Sequence, residues 1–377
     1  MSVTVTYPGV YVQELSGLVR PIDGVATSIT AFVGETPCGS VNDPANIFSF
    51  ADFATQFGGL ADGSETGHAV WQYFLNGGRE AWIVRVADAT CEAQLTAGIR
   101  SLDAVDLFNL LVLPGVSMPG VVTAAVAYCE RRRAFLILDS PSCAKTPDEI
   151  AQIVAAGGIP RTRNAAVYYP WLIIADPLHD GQTRIAPPSG TIAGIIAATD
   201  ETRGVWKAPA GTGSPMKGVQ GLEHGLSDAE QGPLNSMAVN CLRTFPTYGH
   251  VVWGARTLQG ADELASEWKY IAVRRLALFL EESLYRETQW VAFEPNDEPL
   301  WAKIRLNVGV FLGNVYRQGA LQGTSQRDAF FVKCDQSTTT QDDIARGVVN
   351  IVVGFAPLEP AEFIVIQLQQ LAGQSAA

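Results

Sequence analysis

Short β-rich runs alternate with helical stretches from about residue 27 to residue 176, and this alternation limits the possible folds more than any other feature. It is typical of an α/β domain built on a parallel or mixed sheet. The runs predict strands at residues 29–34, 82–87, 107–113, 134–139 and 166–175. The clearest helix start is at Thr146, which a proline and a glutamate follow in the order of a capping box.

Beyond Pro187 the composition loosens into a segment rich in glycine and proline, from Gly204 to Gly225. Such a composition indicates a linker or a long surface loop. Order resumes with another capping box at Ser227, followed by a predicted strand at 250–257 and predicted helices at 262–287 and 299–319. Three more strands are predicted at 329–334, 348–353 and 363–368.

The length and charge of the chain restrict its partners. Its 377 residues correspond to two domains or one very large one, and 26 Lys plus Arg against 38 Asp plus Glu give a net charge of -12. We expect no nucleic-acid partner, because neutralising phosphates needs a basic surface. Only 17% of the residues are charged, against about 25% in typical soluble domains, which suggests that much of the surface contacts other subunits.

The cysteines and the apolar segments indicate where the chain folds. Six cysteines without a CxxC pair are typical of reduced thiols in the cytoplasm. Residues 1–19 carry no basic residue before Arg20 and no long apolar run, so we expect no secretory signal. The uncharged stretch at 107–129 is interrupted by two Pro-Gly pairs, so it predicts a strand, a turn and a helix, and no membrane insertion.

The sequence contains no recognisable catalytic constellation. The four histidines are scattered, and GxSxG, HExxH, Walker A and strand-linked GxGxxG motifs are absent. Residues 211–217 resemble a phosphate-binding loop only loosely, because the spacing differs and Pro215 lacks an amide hydrogen. Asp342 and Asp343 follow Thr340 and predict a helix cap. We therefore expect no catalytic, metal-binding or cofactor-binding residues; the rival hypothesis, a ligand-binding α/β enzyme, has only the alternating pattern in its favour.

Two predicted strands stand alone at the ends of the chain. Their residues are Val10, Tyr11, Val12, Gln13, Glu14 and Leu15 at one end and Phe363, Ile364, Val365, Ile366, Gln367 and Leu368 at the other. An isolated strand must find partners for its backbone groups, either in its own domain or in the sheet of a neighbouring molecule. Because most chain ends dock on their own domain, the sequence by itself favours local pairing.

One face of the helix predicted after Pro299 is basic. Lys303, Asn307, Asn314 and Arg317 fall near one another, on a different face from the apolar stripe. Residues 299–326 contain three basic side chains and no acidic one, in a chain that is acidic overall. This face is either a solvated surface or a docking surface for an acidic partner.

A series of short segments, in order along nearly the whole chain, resembles one protein family. The segments are YPGVYVQE at 7–14, RPI at 20–22, GVATS at 24–28, FGG at 57–59, FLNGG at 74–78, GVWKAPA at 204–210, VWGART at 252–257, WKYI at 268–271, RR at 274–275, FEPND at 293–297, GALQG at 319–323 and PAEF at 360–363. In this order they resemble the tail sheath proteins of contractile injection systems: contractile phage tails, R-type bacteriocins and extracellular injection particles. One departure is Gly211, where the family usually has asparagine.

The resemblance implies a domain organisation. It comprises an N-terminal arm at 1–26, an outer α/β domain with a mixed sheet at 27–234, an α+β C-terminal domain lining the inside of the sheath at 235–357, and a C-terminal arm at 358–377. Both arms would be extended β segments exchanged between subunits, which reverses the expectation of local pairing. Lys303, Asn307, Asn314 and Arg317 would then face an inner tube.

The resemblance also implies a function. The chain would be a non-enzymatic structural subunit that polymerises helically around an inner tube in a metastable extended state and contracts to drive the tube through a target envelope. Its partners would be further copies of itself, the tube protein, and baseplate and terminal cap proteins. It would assemble in the bacterial cytoplasm as part of a virion tail or a phage tail-like particle that can be released.

Overall fold

The computed structural model describes residues 22–363, which divide into two compact units. The larger unit contains residues 28–275 and 359–363, and the smaller one contains residues 22–27 and 276–358. The sequence placed a boundary at residue 234. The strand Val239–Phe245 pairs within the main sheet, however, and residues 235–275 lie in the larger unit.

The secondary structure follows the predicted alternation. The strands are β1 Thr30–Glu35, β2 Ala45–Ile47, β3 Ala81–Val86, β4 Leu110–Val112, β5 Phe135–Asp139, β6 Ala165–Tyr169, β7 Leu172–Ala175, β8 Thr183–Ala186, β9 Val219–Leu222, β10 Val239–Phe245, β11 Gly249–Val252, β12 Phe330–Lys333 and β13 Val352–Phe355. The helices are α1 Phe50–Phe57, α2 Glu65–Leu75, α3 Glu92–Ser101, α4 Pro119–Arg132, α5 Pro147–Ala155, α6 Ser189–Arg203, α7 Asp228–Ser236, α8 Ile271–Glu287, α9 Glu298–Arg317, α10 Gln326–Ala329 and α11 Gln341–Ala345. Short 3-10 turns lie at Leu102–Ala104, Asp262–Leu264 and Gln289–Val291.

The larger unit is built on an eight-stranded mixed sheet, as predicted, with the order β11-β10-β6-β5-β4-β1-β3-β2. The six inner strands run parallel, and β11 and β2 are antiparallel strands at the two edges. Parallel strands need helical crossovers, and these place helices on the sheet's faces. A sheet covered in this way has apolar residues pointing to both sides, which is why its strands have continuous apolar sequences.

The two faces of the sheet belong to different helical layers. Ala31 and Val33 point into a core cluster shared with Leu95 on α3 and Val121 on α4. The intervening Phe32 points the other way, and its ring lies 5.4 Å from that of Tyr73 on α2. All six side chains are buried, so the side-chain period of two along β1 supplies both cores at once.

Helices α2 and α6 pack closely because α6 carries glycine at the contact. A Cβ added to Gly190 would lie 2.3 Å from the carbonyl oxygen of Ala69, and one added to Gly194 would lie 2.5 Å from that of Tyr73. Any larger residue would therefore force the two backbones apart.

Several predicted elements differ from the structure: the strand predicted at 348–353 lies at 352–355 as β13, and the one predicted at 250–257 ends at Val252 as β11. The strand predicted at 166–175 is two strands, because Pro170 has no amide hydrogen to continue the ladder; β7 instead joins a separate three-stranded sheet with the order β8-β7-β9. The helix predicted from residue 262 begins at Ile271. Before this helix, Arg256 and Tyr270 form an isolated antiparallel β-bridge, and the amide of Thr257 donates to the carbonyl of Lys269. These backbone contacts keep residues 269–270 extended.

The smaller unit contains α9, α10, α11, most of α8 and a two-stranded sheet of β12 and β13. Helix α9 starts where the sequence predicts, with the Asp297 side chain accepting from the amide of Leu300. The segment at 22–27 packs on α8: the amide of Val25 donates to Ser283 Oγ at 3.2 Å, and Gly24 lies against the ring of Phe279.

Candidate assembly surfaces

The two predicted arm strands lie almost entirely outside the described residues. Residues 10–15 and 364–368 are outside them, and Phe363 is the last residue that the structure describes. Its side chain is 73% exposed and it is not part of a strand. The structure does describe residues 359–363, which belong to the predicted C-terminal arm at 358–377.

This segment is held by a salt bridge between Arg256 and Glu362. The two side chains meet in a bidentate geometry: Arg256 Nε donates to Glu362 Oε1 and Arg256 Nη2 donates to Glu362 Oε2, both at 2.7 Å. Asn235 Nδ2 donates to Oε1 at 2.9 Å, and the Tyr270 hydroxyl donates to Oε2 at 3.2 Å. Burial alone would raise the pKa of Glu362, but the bonds from Arg256 and Asn235 and the charge of Arg256 hold that pKa below its usual value.

Arg256 is itself fixed to the main sheet. Its side chain is only 1% exposed, and its Nη1 donates to the carbonyl of Asn235 at 2.8 Å and to Asp262 Oδ1 at 3.0 Å. Its backbone amide donates to Asn240 Oδ1 at 2.7 Å, and Asn240 Nδ2 returns a bond to the Arg256 carbonyl at 2.8 Å. Because Asn240 on β10 also bonds the carbonyl of Val167 on β6, the backbone of Arg256 is tied to two neighbouring strands.

The second surface is the two-stranded sheet of the smaller unit. Strands β12 and β13 pair antiparallel, with Phe331 opposite Gly354 and Lys333 opposite Val352. Within residues 22–363 neither strand pairs with a third, so each of these four-residue strands has one open edge. A two-stranded sheet is only marginally stable by itself, and an unpaired strand edge is a site where a further strand can be added.

One face of this small sheet is also exposed. Phe331 and Val352 are 48% and 43% exposed, although both are large and apolar. The Phe331 ring lies across Gly354, where an added Cβ would be 2.2 Å from Phe331 Cε1. Glycine at this position lets the aromatic ring cover the neighbouring backbone, a device that stabilises weak edges.

The structure revises the basic face predicted on α9. Lys303, Asn314 and Arg317 are exposed on one side of the helix, but Asn307 is 2% exposed and lies inward. At 100° per residue Asn307 stands at the margin of the face, where packing decides its burial. The face also contains Leu306 and Val310, which are 43% and 38% exposed and which the sequence analysis missed. It is therefore a mixed surface of two cations and two aliphatic side chains.

The loop at 211–217 uses its amides internally. The amide of Gly211 donates to the carbonyl of Val252 at 2.8 Å and that of Met216 to the carbonyl of His250 at 2.9 Å. The amide of Lys217 donates to the Asn76 side chain at 2.8 Å. A phosphate-binding loop needs such donors pointing at its ligand, so the resemblance of this loop to a phosphate cradle is superficial.

The carboxyl ends of the parallel strands, where α/β enzymes hold ligands, carry one buried acid. Asp139 ends β5 and accepts from the amide of Gly115 at 2.9 Å and from the amide and hydroxyl of Ser189, each at 2.7 Å. Burial raises the pKa of Asp139 to about 6, despite these bonds, and the charge of Glu65 contributes to the rise. The three bonds join β4, β5 and the start of α6, so this carboxyl has a structural role.

Metal ligation and membrane insertion both require features that the described residues lack. Among residues 22–363 no group of three or more His, Cys, Asp and Glu side chains is arranged to hold a metal ion. In the same range, no helix is both long enough and apolar enough for a membrane span. A cavity of about 560 Å³ beside Glu362 is lined by Trp253, Tyr270 and Phe363 among others.

Two models of one family match consecutive parts of the chain. The model of the phage tail sheath protein central domain matches residues 92–258, and that of the phage tail sheath C-terminal domain matches residues 263–370. The tail sheath protein of Vibrio phage KVP40 is 28% identical over 189 residues, which is 50% of this chain and 27% of that protein. The match thus spans about a quarter of the length of that relative.

Solved structures of contractile sheaths have the same fold. The sheath complex of the extracellular contractile injection system PVC in its contracted state has a TM-score of 0.82 and 32% identity, covering 98% of this chain and 99% of that chain. The helical sheath of the anti-feeding prophage (AFP) in its contracted state has a TM-score of 0.78 and 29% identity, covering 97% of this chain and 100% of that chain.

Proposed function

The chain belongs to the phage tail sheath protein family, in the group that forms contractile injection systems, and from this premise we propose that it polymerises helically around an inner tube in an extended, metastable state. Contraction of the sheath then drives the tube through a target envelope. The subunit has a structural role in a homo-oligomeric sheath of a phage tail or prophage-like particle. The tube, baseplate and terminal cap proteins are its further partners, and assembly takes place in the bacterial cytoplasm.

The observation that carries this proposal is the pair of open edges on the β12–β13 sheet. The sequence has one strand-forming segment at each end, at residues 10–15 and 363–368, and each needs a sheet to join. Donation of both segments to a neighbouring copy would extend that copy's two-stranded sheet to four strands, with a strand added at each edge. Subunits linked in this way can repack during contraction without separating, because several backbone hydrogen bonds must break together.

Contraction would draw its free energy from contacts between subunits. Because only 17% of the residues are charged, much of the surface is suited to burial in contacts between subunits. The contracted state would bury more of this surface than the extended state and would therefore be the lower in free energy. The sheath's hold on the tube must be weak enough to release. Interfacial ion pairs meet this requirement because they roughly balance their desolvation cost.

The face of α9 that carries Lys303, Leu306, Val310, Asn314 and Arg317 is the surface that we assign to the tube. Its charge is opposite to that of the chain as a whole, so it suits an acidic partner surface. Leu306 and Val310 add apolar area that a solvated helix face would not need.

Deletion of either arm tests the exchange. Chains lacking residues 2–15 or residues 364–377 should remain folded, soluble monomers that do not form tubes under negative-stain electron microscopy. The matched control lacks only residues 371–377, beyond the predicted strand, and should form tubes of normal length. Normal tubes from either arm deletion would contradict the exchange.

A further inference from the structure

The C-terminal arm can hold subunits together only if its point of departure is itself fixed. We propose that Glu362 and Arg256 form a clasp that anchors the base of the arm to the eight-stranded sheet, so that tension from a neighbouring copy passes into that sheet. This inference rests on the proposed exchange of C-terminal arms. It assigns to these two residues a role in transmitting force between subunits.

The clasp lies at the end of the described chain, one residue before its last residue. Glu362 immediately precedes Phe363, whose side chain is 73% exposed. The carboxylate receives four hydrogen bonds, two from Arg256, one from Asn235 and one from Tyr270. These donors come from the loop after β11, from α7 and from the residue before α8, so the arm base is held from three directions.

The bonds continue from the clasp into the sheet without a gap. Arg256 exchanges two backbone bonds with the Asn240 side chain, and Asn240 stands on β10 next to β6. Both are inner strands of the eight-stranded sheet, each paired on two sides, and such strands open later than chain ends when a protein unfolds locally. A pull on residue 363 is therefore passed to two paired inner strands of the main sheet.

The clasp is also difficult to open by one partner at a time. Arg256 is 1% exposed, so losing the carboxylate would leave a buried guanidinium with Asp262 as its remaining acidic partner, and Asp262 is 51% exposed. Removing one member of such a pair costs much more than the pair's net contribution to stability. The arm base is thus either clasped or fully released, which is the behaviour that an anchor under tension requires.

Substitution of Glu362 tests the clasp in the full-length chain. Glu362→Gln keeps the size of the side chain and removes the charge. Glu359→Gln, three residues earlier on an exposed side chain, is the matched control. In the unassembled chain, chymotrypsin should cleave after Phe363 roughly tenfold or more faster in E362Q than in wild type, because cleavage follows release of the surrounding backbone.

In sheaths assembled from the same chains, E362Q should give tubes that are shorter and that dissociate at lower urea than wild type, and E359Q should match wild type in both assays. If E362Q fails to fold, Tyr270→Phe removes a single bond to the same carboxylate and should give a smaller change in the same direction.

The outcomes separate the clasp from the arm exchange. Wild-type cleavage and wild-type tubes in E362Q, or in Y270F should E362Q not fold, would overturn the clasp. If that happened while deletion of residues 364–377 still abolished tubes, the arm exchange would stand without the clasp. Normal tubes from that deletion would instead remove the exchange and the clasp together.

Discussion

Replacing Asp139 by asparagine should change how the stability of the larger unit depends on pH. The carboxyl is buried, and its pKa is raised from 3.8 to about 6. A raised pKa means that at about pH 5 the folded chain holds a proton that the unfolded chain has lost. The stabilisation is therefore present at low pH and is lost as the pH rises through about 6.

The size of the effect follows from the shift. A difference of about 2 pKa units at about 1.4 kcal/mol each corresponds to roughly 3 kcal/mol in the free energy of unfolding between about pH 4 and pH 7. Asparagine cannot titrate, so D139N lacks this dependence. It also loses an oxygen acceptor for Gly115 or Ser189, which should cost about 1 to 3 kcal/mol at every pH. The difference in stability between wild type and the variant should therefore shift in favour of the variant by roughly 2 kcal/mol as the pH rises from about 4.5 to about 7.5.

The assay is urea unfolding of wild type and D139N, followed by circular dichroism from about pH 4.5 to about pH 7.5. The quantity of interest is the difference between the two free-energy curves, because other titrating groups, such as Glu65 and His68, contribute to both. Curves that stay parallel within about 0.5 kcal/mol over this range would refute the raised pKa.

The other expectations concern the tube surface and the packing of two helices. Lys303→Glu with Arg317→Glu should impair assembly of the extended sheath on its tube while leaving free contracted sheath unaffected. The control, Arg79→Glu with Arg131→Glu, makes the same change in charge at two side chains of the larger unit that are 75% and 62% exposed, and it should leave co-assembly with the tube normal. Unchanged co-assembly of the first pair would exclude this face as the tube contact. Gly194→Ala places a Cβ 2.5 Å from the Tyr73 carbonyl oxygen and should lower the free energy of unfolding by about 1 to 3 kcal/mol. The control is Gly232→Ala on α7, where the added Cβ has open space around it and should leave the free energy of unfolding unchanged or raise it. Equal effects of the two substitutions in urea unfolding would contradict the close approach of α2 and α6.

Local signals in the sequence predicted local structure well. The capping boxes at Thr146, Ser227 and Thr340 all form, and each starts the helix expected after it. A capping box depends on residues three apart, so nothing distant is needed to read it. The alternating runs likewise predicted the mixed sheet, although most strands are shorter than their apolar sequences because backbone pairing ends before burial does.

Contacts between distant residues could not be read in this way. Arg256 and Glu362 are 106 residues apart, and both lie in segments that resemble the family, yet nothing in either segment indicates that they pair. The spacing on α9 grouped Asn307 with Lys303, but the packing of the smaller unit buries the first and exposes the second. Helical periodicity gives direction around an axis, and only tertiary packing decides which directions are covered.

The open edges of β12 and β13 set a condition at the ends of any finite sheath. If each copy receives strands from its neighbours, the copies in the first and last rings lack donors on one side, and their four-residue ladders remain incomplete. Growth then has no internal stop, and the length of the cylinder must be fixed by something outside the lattice. Different proteins at the two ends of the sheath, one supplying a strand and the other covering an open strand edge, would provide such a stop. They would also give the cylinder its polarity.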